Sequence, residues 1–315
     1  MFYSSPLRKL SITLTSVGLG LALVNDARAE EPSESRGKWT LSSLTALRVN
    51  PIGLFETASF GYQYSLSTSD DPLFKGTYVK VAFAPSVSPA FGRWGLLAEV
   101  MPLSILRLSV LGEYVTHFGT FGTLQSFNSP NADFSDPKLL ELRESTDTNI
   151  KNYSSSGTAV TLGAMLQGKV GDYAARVNYR GIYQNTNLRS GDTVYYDILL
   201  DILAPRTGWI HTTDTDLLKL DGDWTYGLRH TLVSTSYPDS AYPSGEATNT
   251  TNAPTQRLGP LVSKKLAPSE GSSVSNQSIF VLTQWWLSHR FRTGQTSSKF
   301  LPLIAAGYSF NFDVK

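Results

Sequence analysis

Four histidines are the first residues to test for chemistry, because histidine is the side chain most often used as a general base near neutral pH. They are His117, His211, His230 and His289, and the chain has no cysteine. On a strand, a histidine and the serine that it activates share a face at His-x-Ser spacing. None of the four is followed by a serine at that spacing. The sequence therefore predicts no catalytic residues of this kind.

The acidic residues Asp214 and Asp216 are the second candidate, because Asp-x-Asp together with Asp-x-His can hold a catalytic water. Asp-x-His occurs nowhere in the chain. A metal site of His211 with the two aspartates would need all three on one face. The spacings of three and five residues on a strand place His211 on the opposite face from both aspartates. We expect no metal and no cofactor, and we keep hydrolysis of lipid or peptide as an alternative function.

Two pairs of opposite charges surround a predicted turn at Met101–Ser104. A hairpin centred on this turn brings Arg93 opposite Glu113 and Glu99 opposite Arg107. Opposite charges across neighbouring strands stabilise their register. We interpret these four residues as structural pairs in a polar interior, and a charged constriction in a pore is the alternative.

Four further arginines lie on the polar faces of predicted strands: Arg176, Arg180, Arg290 and Arg292. Placed around one interior, they would form a basic lining that favours anions. The other interpretation is that they fill the interior without a transport role, and the sequence leaves both open.

These candidates lie on segments in which apolar and polar residues alternate. Leu106 and Leu108 share one face, for example, and Arg107 lies on the other. Alternation of period two predicts β-strands with one apolar and one polar face, and it occurs over residues 104–118, 158–170 and 173–185. These strands are longer than the roughly 5–6 residues common in soluble proteins, whereas tilted membrane strands need about 9–11.

Aromatic residues and connection lengths favour a membrane barrel over a soluble fold. Aromatic residues are expected at the ends of membrane strands, where they form interface girdles, and here they are Tyr173, Tyr183, Trp224, Phe118 and Phe291. Short turns alternate with long polar connections, predicted at Gly119–Ser156, Asn187–Gly208 and Pro238–Thr255. The sequence therefore predicts an all-β protein, a single transmembrane antiparallel up-and-down β-barrel with a polar lumen.

The N-terminal 29 residues have the features of a secretory signal peptide. Arg8 and Lys9 precede an apolar stretch over residues 10–24, and Ala27-Arg28-Ala29 is a small-x-small cleavage site before Glu30. We predict a signal peptide over 1–29, a periplasmic segment over 30–37 and the barrel over 38–315. The formal net charge of +1 argues against a nucleic-acid partner.

The C-terminal segment carries a resemblance to a known class. Gly307, Phe310 and Phe312 lie in an alternating strand near the C-terminus. This segment resembles the signal by which Gram-negative outer-membrane β-barrel proteins are recognised for insertion. Those chains often end on the aromatic residue, whereas Asp313, Val314 and Lys315 follow here. The resemblance implies that barrel assembly machinery and outer-membrane lipid are partners.

The number of strands depends on residues 38–101. Eight strands fit the chain from residue 104 onwards. The preceding region adds four if Pro51, Pro85 and Pro89 mark turns, and two if residues 48–54 and 99–105 both lie at the periplasmic side. We predict twelve strands, with ten as the alternative, because one long strand through two prolines would be unusual.

The expected role is a structural or surface protein, or a narrow channel for small solutes or ions. A barrel hydrolase and a soluble secreted β-protein are the alternatives.

Overall fold

The computed structural model describes residues 11–12, 26–27, 36–267 and 274–314. The predicted signal peptide therefore lies outside the described residues, apart from the paired dipeptides Ser11–Ile12 and Asp26–Ala27. The same holds for the periplasmic segment up to residue 35. Both predictions stay predictions.

Twelve antiparallel strands form one closed barrel in the described residues. Each strand pairs with the next along the chain, and the last pairs with the first from Ile304↔Val49 to Val314↔Trp39. The strands are β1 (Gly37–Val49), β2 (Gly53–Ser65), β3 (Tyr78–Phe83 with Ser86–Val87), β4 (Phe91–Leu103), β5 (Leu106–His117), β6 (Ser155–Val170), β7 (Tyr173–Thr186), β8 (Thr207–Asp221), β9 (Trp224–Thr235), β10 (Thr255–Lys265), β11 (Val274–Ser288) and β12 (Leu303–Val314).

The prediction of twelve strands is confirmed, although the three prolines act differently. Pro51 and Pro89 lie in the connections that follow β1 and β3, as predicted. Pro85 instead interrupts β3, because proline has no N–H to give to the ladder. Its carbonyl still accepts a hydrogen bond from Ala58 N at 2.9 Å, which keeps β3 in the barrel.

The two ends of the barrel differ in their connections. We call the end that holds Gly37 and Val314 the terminal rim and the opposite end the loop rim. Turns of two residues close the terminal rim at 104–105, 171–172 and 222–223. Gly171 and Gly222 adopt φ of 59° and 60° there, which glycine tolerates without strain. The connection 50–52 lies at the loop rim, so residues 48–54 and 99–105 are at opposite ends.

The outer surface of the barrel is apolar. On β5, Leu108, Val110 and Tyr114 are 41%, 48% and 52% exposed, whereas Arg107 and Glu113 are buried on the inner face. Of the aromatic residues predicted to form girdles, those at 118, 173, 183 and 224 are exposed on the outer surface. The prediction that Phe291 belongs to a girdle is wrong, because Phe291 is buried among Phe134 and Tyr196 inside the molecule.

Four long connections leave the loop rim: 118–154, 187–206, 236–254 and 289–302. The first three correspond to predicted long connections. The fourth was missed, because the alternation in the sequence continues past Ser288, where β11 ends. The connection 118–154 contains helix α1 (Asp136–Glu144), and 236–254 contains a 3-10 turn (Asp239–Ala241). None of the described helices is long and apolar enough to cross a membrane.

The connection 187–206, called the inner loop below, folds into the barrel. Its strands Val194–Asp197 and Ile202–Pro205 pair with each other, and Val194 and Tyr195 pair with Ser126–Phe127 of the first long connection. Ile202, Leu203 and Ala204 are fully buried. The sequence prediction of a polar outer connection here is therefore wrong. The apolar run from Val194 to Pro205 buries itself in the lumen instead.

Candidate functional site

The lumen contains the charged residues of the β4–β5 hairpin. Arg93 Nη1 lies 3.6 Å from Glu113 Oε2, and Arg107 Nη1 lies 3.6 Å from Glu99 Oε2. Glu99 also accepts a hydrogen bond from the hydroxyl of Tyr78 at 2.5 Å. All five side chains belong to the inner face of the barrel.

The register of this hairpin differs from the predicted one. Gly95 is the residue opposite Glu113, and Ser109 is the residue opposite Glu99. The turn is at residues 104–105, and the pairing is irregular between Val100 and Leu103. Each charged pair is therefore diagonal rather than directly opposite, and the long side chains span the offset. Whether the pairs act in stability or in conduction stays a prediction.

A second group of charges is centred on Asp216, which is 0% exposed. Its carboxylate accepts hydrogen bonds from Arg176 Nε at 2.8 Å and from Arg229 Nε at 2.6 Å. Next to it, Asp214 accepts a hydrogen bond from the Thr231 hydroxyl at 2.6 Å and lies 3.9 Å from Arg180. Asp214 and Asp216 are thus engaged with basic and hydroxyl groups of the lumen.

His211 lies on the opposite face of β8 from these two aspartates. Its Nδ1 contacts the Tyr179 hydroxyl at 2.7 Å on the outer surface. His230 lies on the outer face of β9 and contacts Gln256. Among the residues that the structure describes, no serine hydroxyl hydrogen-bonds a histidine ring.

Away from the terminal rim, basic residues outnumber acidic ones on the inner face of the strands, which we call the wall. The basic side chains are Arg48, Lys80, Arg93, Arg107, Arg176, Arg180, Arg229 and Arg257. The acidic side chains are Glu99, Glu113, Asp214 and Asp216. Eight positive charges minus four negative charges leave an excess of four on this part of the wall. A low-dielectric interior lined with this excess of positive charge attracts anions.

The inner loop contributes groups that compensate part of this charge. Arg48 Nη1 donates to the carbonyl of Leu199 at 2.6 Å, and its Nη2 donates to the carbonyl of Ile198. Asp197 lies 4.0 Å from Arg93. The side chain of Asp197 also accepts the N–H of Leu199 at 2.8 Å, which fixes the tip of the loop.

Asp201 anchors the inner loop to the connection 289–302. Its carboxylate accepts hydrogen bonds from Arg292 and, at 2.8 Å, from the Tyr196 hydroxyl. Burial alone would raise the pKa of Asp201, but the Arg292 guanidinium and the hydrogen bonds from Arg292 and Tyr196 hold that pKa below its ordinary value. Burial also lowers the pKa of His289. The fold therefore favours an ionised Asp201 beside a neutral His289.

The predicted basic lining is divided between two places. Arg176 and Arg180 belong to the wall. Arg290 and Arg292 follow the end of β11 and lie among the loops of the loop rim. Arg290 donates to Asn131 O at 3.0 Å and Arg292 to Asp136 at 3.0 Å. The prediction of a single basic lining is therefore wrong, because Arg290 and Arg292 hold loops together and do not belong to the wall.

Three wall arginines that sequence reasoning missed complete the lumen: Arg48, Arg229 and Arg257. The signal that could have identified them is their position on the polar face of an alternating strand. Arg229 alternates with the outward-facing Leu228, and Arg257 alternates with Leu258. The barrel closure that brings the three strands around one lumen is not visible in the alternation.

Two cavities lie beside the tip of the inner loop. The larger, of about 100 Å³, is lined by Arg93, Arg107 and Leu199 among others. The smaller, of about 50 Å³, is lined by Arg48, Arg229 and Arg257 among others. Arg180 and Leu200 line both. The tip of the inner loop therefore separates two spaces in one charged lumen.

The residues of the predicted assembly signal lie on β12. Phe312 is opposite Leu41 and Phe310 is opposite Ser43, next to the seam that closes the barrel. A Cβ atom at Gly307 would lie 2.4 Å from the ring of Phe280, so this position accommodates only glycine without rearrangement. Their role in assembly stays a prediction.

Comparisons with known proteins report similarity of shape only. No family model matches the chain, and no curated protein matches it. The NanC porin is similar with a TM-score of 0.36 and 10% identity, over 87% of this chain and all of that one. The CymD monoaromatic hydrocarbon channel gives a TM-score of 0.38 at 9% identity, over 90% and 89%. Omp33, an outer membrane protein of Acinetobacter baumannii, gives 0.35 at 12%, over 88% and 98%.

These TM-scores are too low to carry an argument about function. The assignment of the fold rests on the features of this barrel. A closed antiparallel barrel with an even number of strands, an apolar outer surface and a polar lumen is the fold of outer-membrane β-barrel proteins.

Proposed function

We propose that the protein spans the bacterial outer membrane, after cleavage of its signal peptide, as a narrow channel that favours small anions. The terminal rim would face the periplasm and the loop rim the exterior, as in single-chain outer-membrane barrels. The observation that carries this proposal is the excess of basic over acidic side chains on the wall.

A purely structural barrel gives no reason for this excess. Buried charges cost free energy unless they are paired, and a scaffold would be equally well filled by apolar or neutral side chains. The whole chain has a net charge of only +1. Concentration of positive charge inside such a chain favours entry of negatively charged solutes over positively charged ones.

The inner loop would set the size limit of the channel. A site for one water molecule needs roughly 10–15 Å³ of space for the centre of a water-sized sphere, and the cavities beside the tip measure about 100 and 50 Å³. A solute larger than a few water molecules could pass only if Leu199 and Leu200 moved aside. The loop is held there by Arg48, Arg93 and Arg292.

Planar-bilayer recording of the refolded protein tests the proposal. With a KCl gradient across the bilayer, we expect small conductance steps and a reversal potential of the sign given by chloride permeation. Arg107→Gln should move the reversal potential towards zero. Lys75→Gln removes the same charge from a connection at the terminal rim and should not move it. Absence of conductance in several lipid mixtures, or cation selectivity, would favour a structural role.

A further inference from the structure

Arg257 is a buried charge of the lumen with no carboxylate beside it in the sheet. It lies on the inner face of β10 and is 7% exposed. Its neighbours across the sheet are Thr231 and Trp286, neither of which has a carboxylate. The guanidinium lies 4.8 Å from the centre of the Trp286 ring, which supports it from one side. Its Nη1 has no hydrogen-bond partner among the described residues.

A second buried arginine faces the same cavity. Arg48 is 4% exposed, and both of its Nη atoms are occupied by carbonyl groups of the inner loop. Its Nε is buried and has no partner in the part of the chain that the structure describes. Arg48 and Arg257 both line the cavity of about 50 Å³. Each therefore has an N–H group that the described residues leave without an acceptor.

The charges around this cavity do not balance. Arg48, Arg180, Arg229 and Arg257 line it, and Asp214 is the acidic residue of the lining. Four minus one leaves three positive charges. Asp216 and Asp201 lie nearby, but Asp216 also pairs with Arg176 and Asp201 also pairs with Arg292, so neither is available to this cavity alone. Buried guanidinium groups of like charge repel one another unless an anion lies between them.

We propose that this cavity binds a small oxyanion between Arg257 and Arg48. The planar guanidinium fork matches the oxygen atoms of a carboxylate or a phosphate, and charge-assisted hydrogen bonds of this kind are short and strong. The cavity has room for a group of that size and not for a sugar or an aromatic ring. As an inference resting on the proposed channel function, this site would be an anion-binding site along the conduction path. Binding of the anion itself does not depend on conduction.

The anion would also affect the inner loop. Arg48 holds the carbonyl groups of Ile198 and Leu199, and Leu200 lines the cavity. An anion at Arg48 Nε would neutralise repulsion between Arg48 and Arg257 and so favour the closed position of the loop. The bound anion is thus expected to stabilise the plugged lumen.

The test measures the thermal midpoint of the full mature chain, refolded in detergent, in low-salt buffer. Sodium acetate, sodium phosphate and sodium chloride are titrated at matched ionic strength. We expect acetate or phosphate to raise the midpoint saturably and chloride to raise it less, and the stronger oxyanion identifies the ligand as a carboxylate or a phosphate. An equal response to all three salts would overturn the proposal.

Two variants of Arg257 make the test specific. Arg257→Met removes the charge and keeps an apolar stem. It is expected to raise the midpoint without oxyanion and to abolish the oxyanion-dependent rise. Arg257→Lys keeps the charge, so it should fold even if the Met variant does not, and loss of the fork should weaken oxyanion affinity roughly tenfold. Arg143→Met, on a half-exposed side chain of α1, should change neither quantity.

The outcomes separate this site from the proposed channel. Saturable oxyanion binding without conductance in bilayers would uphold the site and refute the channel. Conductance with unchanged oxyanion affinity in both Arg257 variants would uphold the channel and refute the site.

Discussion

Asp216→Asn is the substitution with the clearest expected effect on the barrel. The Asp216 carboxylate lies between Arg176 and Arg229 and is fully buried. It accepts hydrogen bonds from Arg176 Nε at 2.8 Å and from two nitrogens of Arg229 at 2.6 and 2.9 Å. Asparagine has nearly the same shape, but it has one acceptor oxygen and no charge. Two buried guanidinium groups then lose their counter-charge, which costs about 3–5 kcal/mol of unfolding free energy.

Urea unfolding of the refolded barrel in detergent, followed by heat-modifiable migration on a gel, measures this loss. Asp70→Asn is the matched control, because Asp70 makes a 3.2 Å ion pair with Lys75 while its side chain is 90% exposed. Exposed pairs contribute about 0–1 kcal/mol. Asp216→Asn combined with Arg229→Met should recover part of the loss, since one of the unpaired charges is removed. Equal midpoints for the Asp216 and Asp70 variants would refute the reasoning.

Three further predictions use the same refolded protein. Glu113→Ala should lower thermal stability by leaving Arg93 with only Asp197, 4.0 Å away, as its counter-charge. Changing Arg93 to Ala as well should recover part of the loss, and effects that simply add would contradict the pairing. Replacement of Phe310 and Phe312 with Ala should remove apolar contacts near the barrel seam and reduce the heat-modifiable form in membranes, and wild-type amounts would count against an assembly role. The inner loop should loosen as the pH falls, because His289, which contacts Asp201 of this loop, has a lowered pKa. Below about 6.5, release of the loop lets His289 take up a proton that the closed arrangement resists. Asp201, whose pKa is also lowered, adds to the loss below about 4. Faster proteolysis of the inner loop at pH 5 than at pH 7.5, by an enzyme active at both, measures this effect, and equal rates would exclude it.

Alternation predicts which face of a strand a side chain occupies, because this property depends only on neighbouring residues. It assigned Arg93, Glu99, Arg107 and Glu113 to the inner face without knowledge of the fold. It could not give their register, since the irregular pairing between Val100 and Leu103 shifts β4 against β5. Pro102 lies in that segment, and proline within a sheet marks an edge or a bulge, but it does not say how far the register shifts. Register is a property of two strands together, and the sequence pattern describes each strand alone.

Closure of the barrel explains why the arginine cluster was missed. Arg48, Arg229 and Arg257 come from β1, β9 and β10, and only the pairing of β12 with β1 brings the first of these near the others. Arg290 and Arg292 were wrongly assigned to the wall, because they lie beyond the end of β11. Alternation continues past Ser288, although the chain has left the sheet there and entered the loop rim. Polar and apolar residues alternate in both places, but only a paired segment extends the wall.

Two apolar features of the sequence together indicate that the inner loop packs inside the barrel, and the signal is divided between them. One half is the apolar run between Val194 and Pro205 inside a connection that is otherwise polar. The other half is an apolar patch on the inner face of the wall, where Leu44, Phe55 and Leu282 form one buried cluster with Leu199. A water-filled lumen would leave both apolar surfaces exposed, at a cost of about 25 cal/mol for each Å². Each surface therefore requires the other, so the loop that narrows the lumen is specified jointly by the wall that it contacts and by its own apolar sequence.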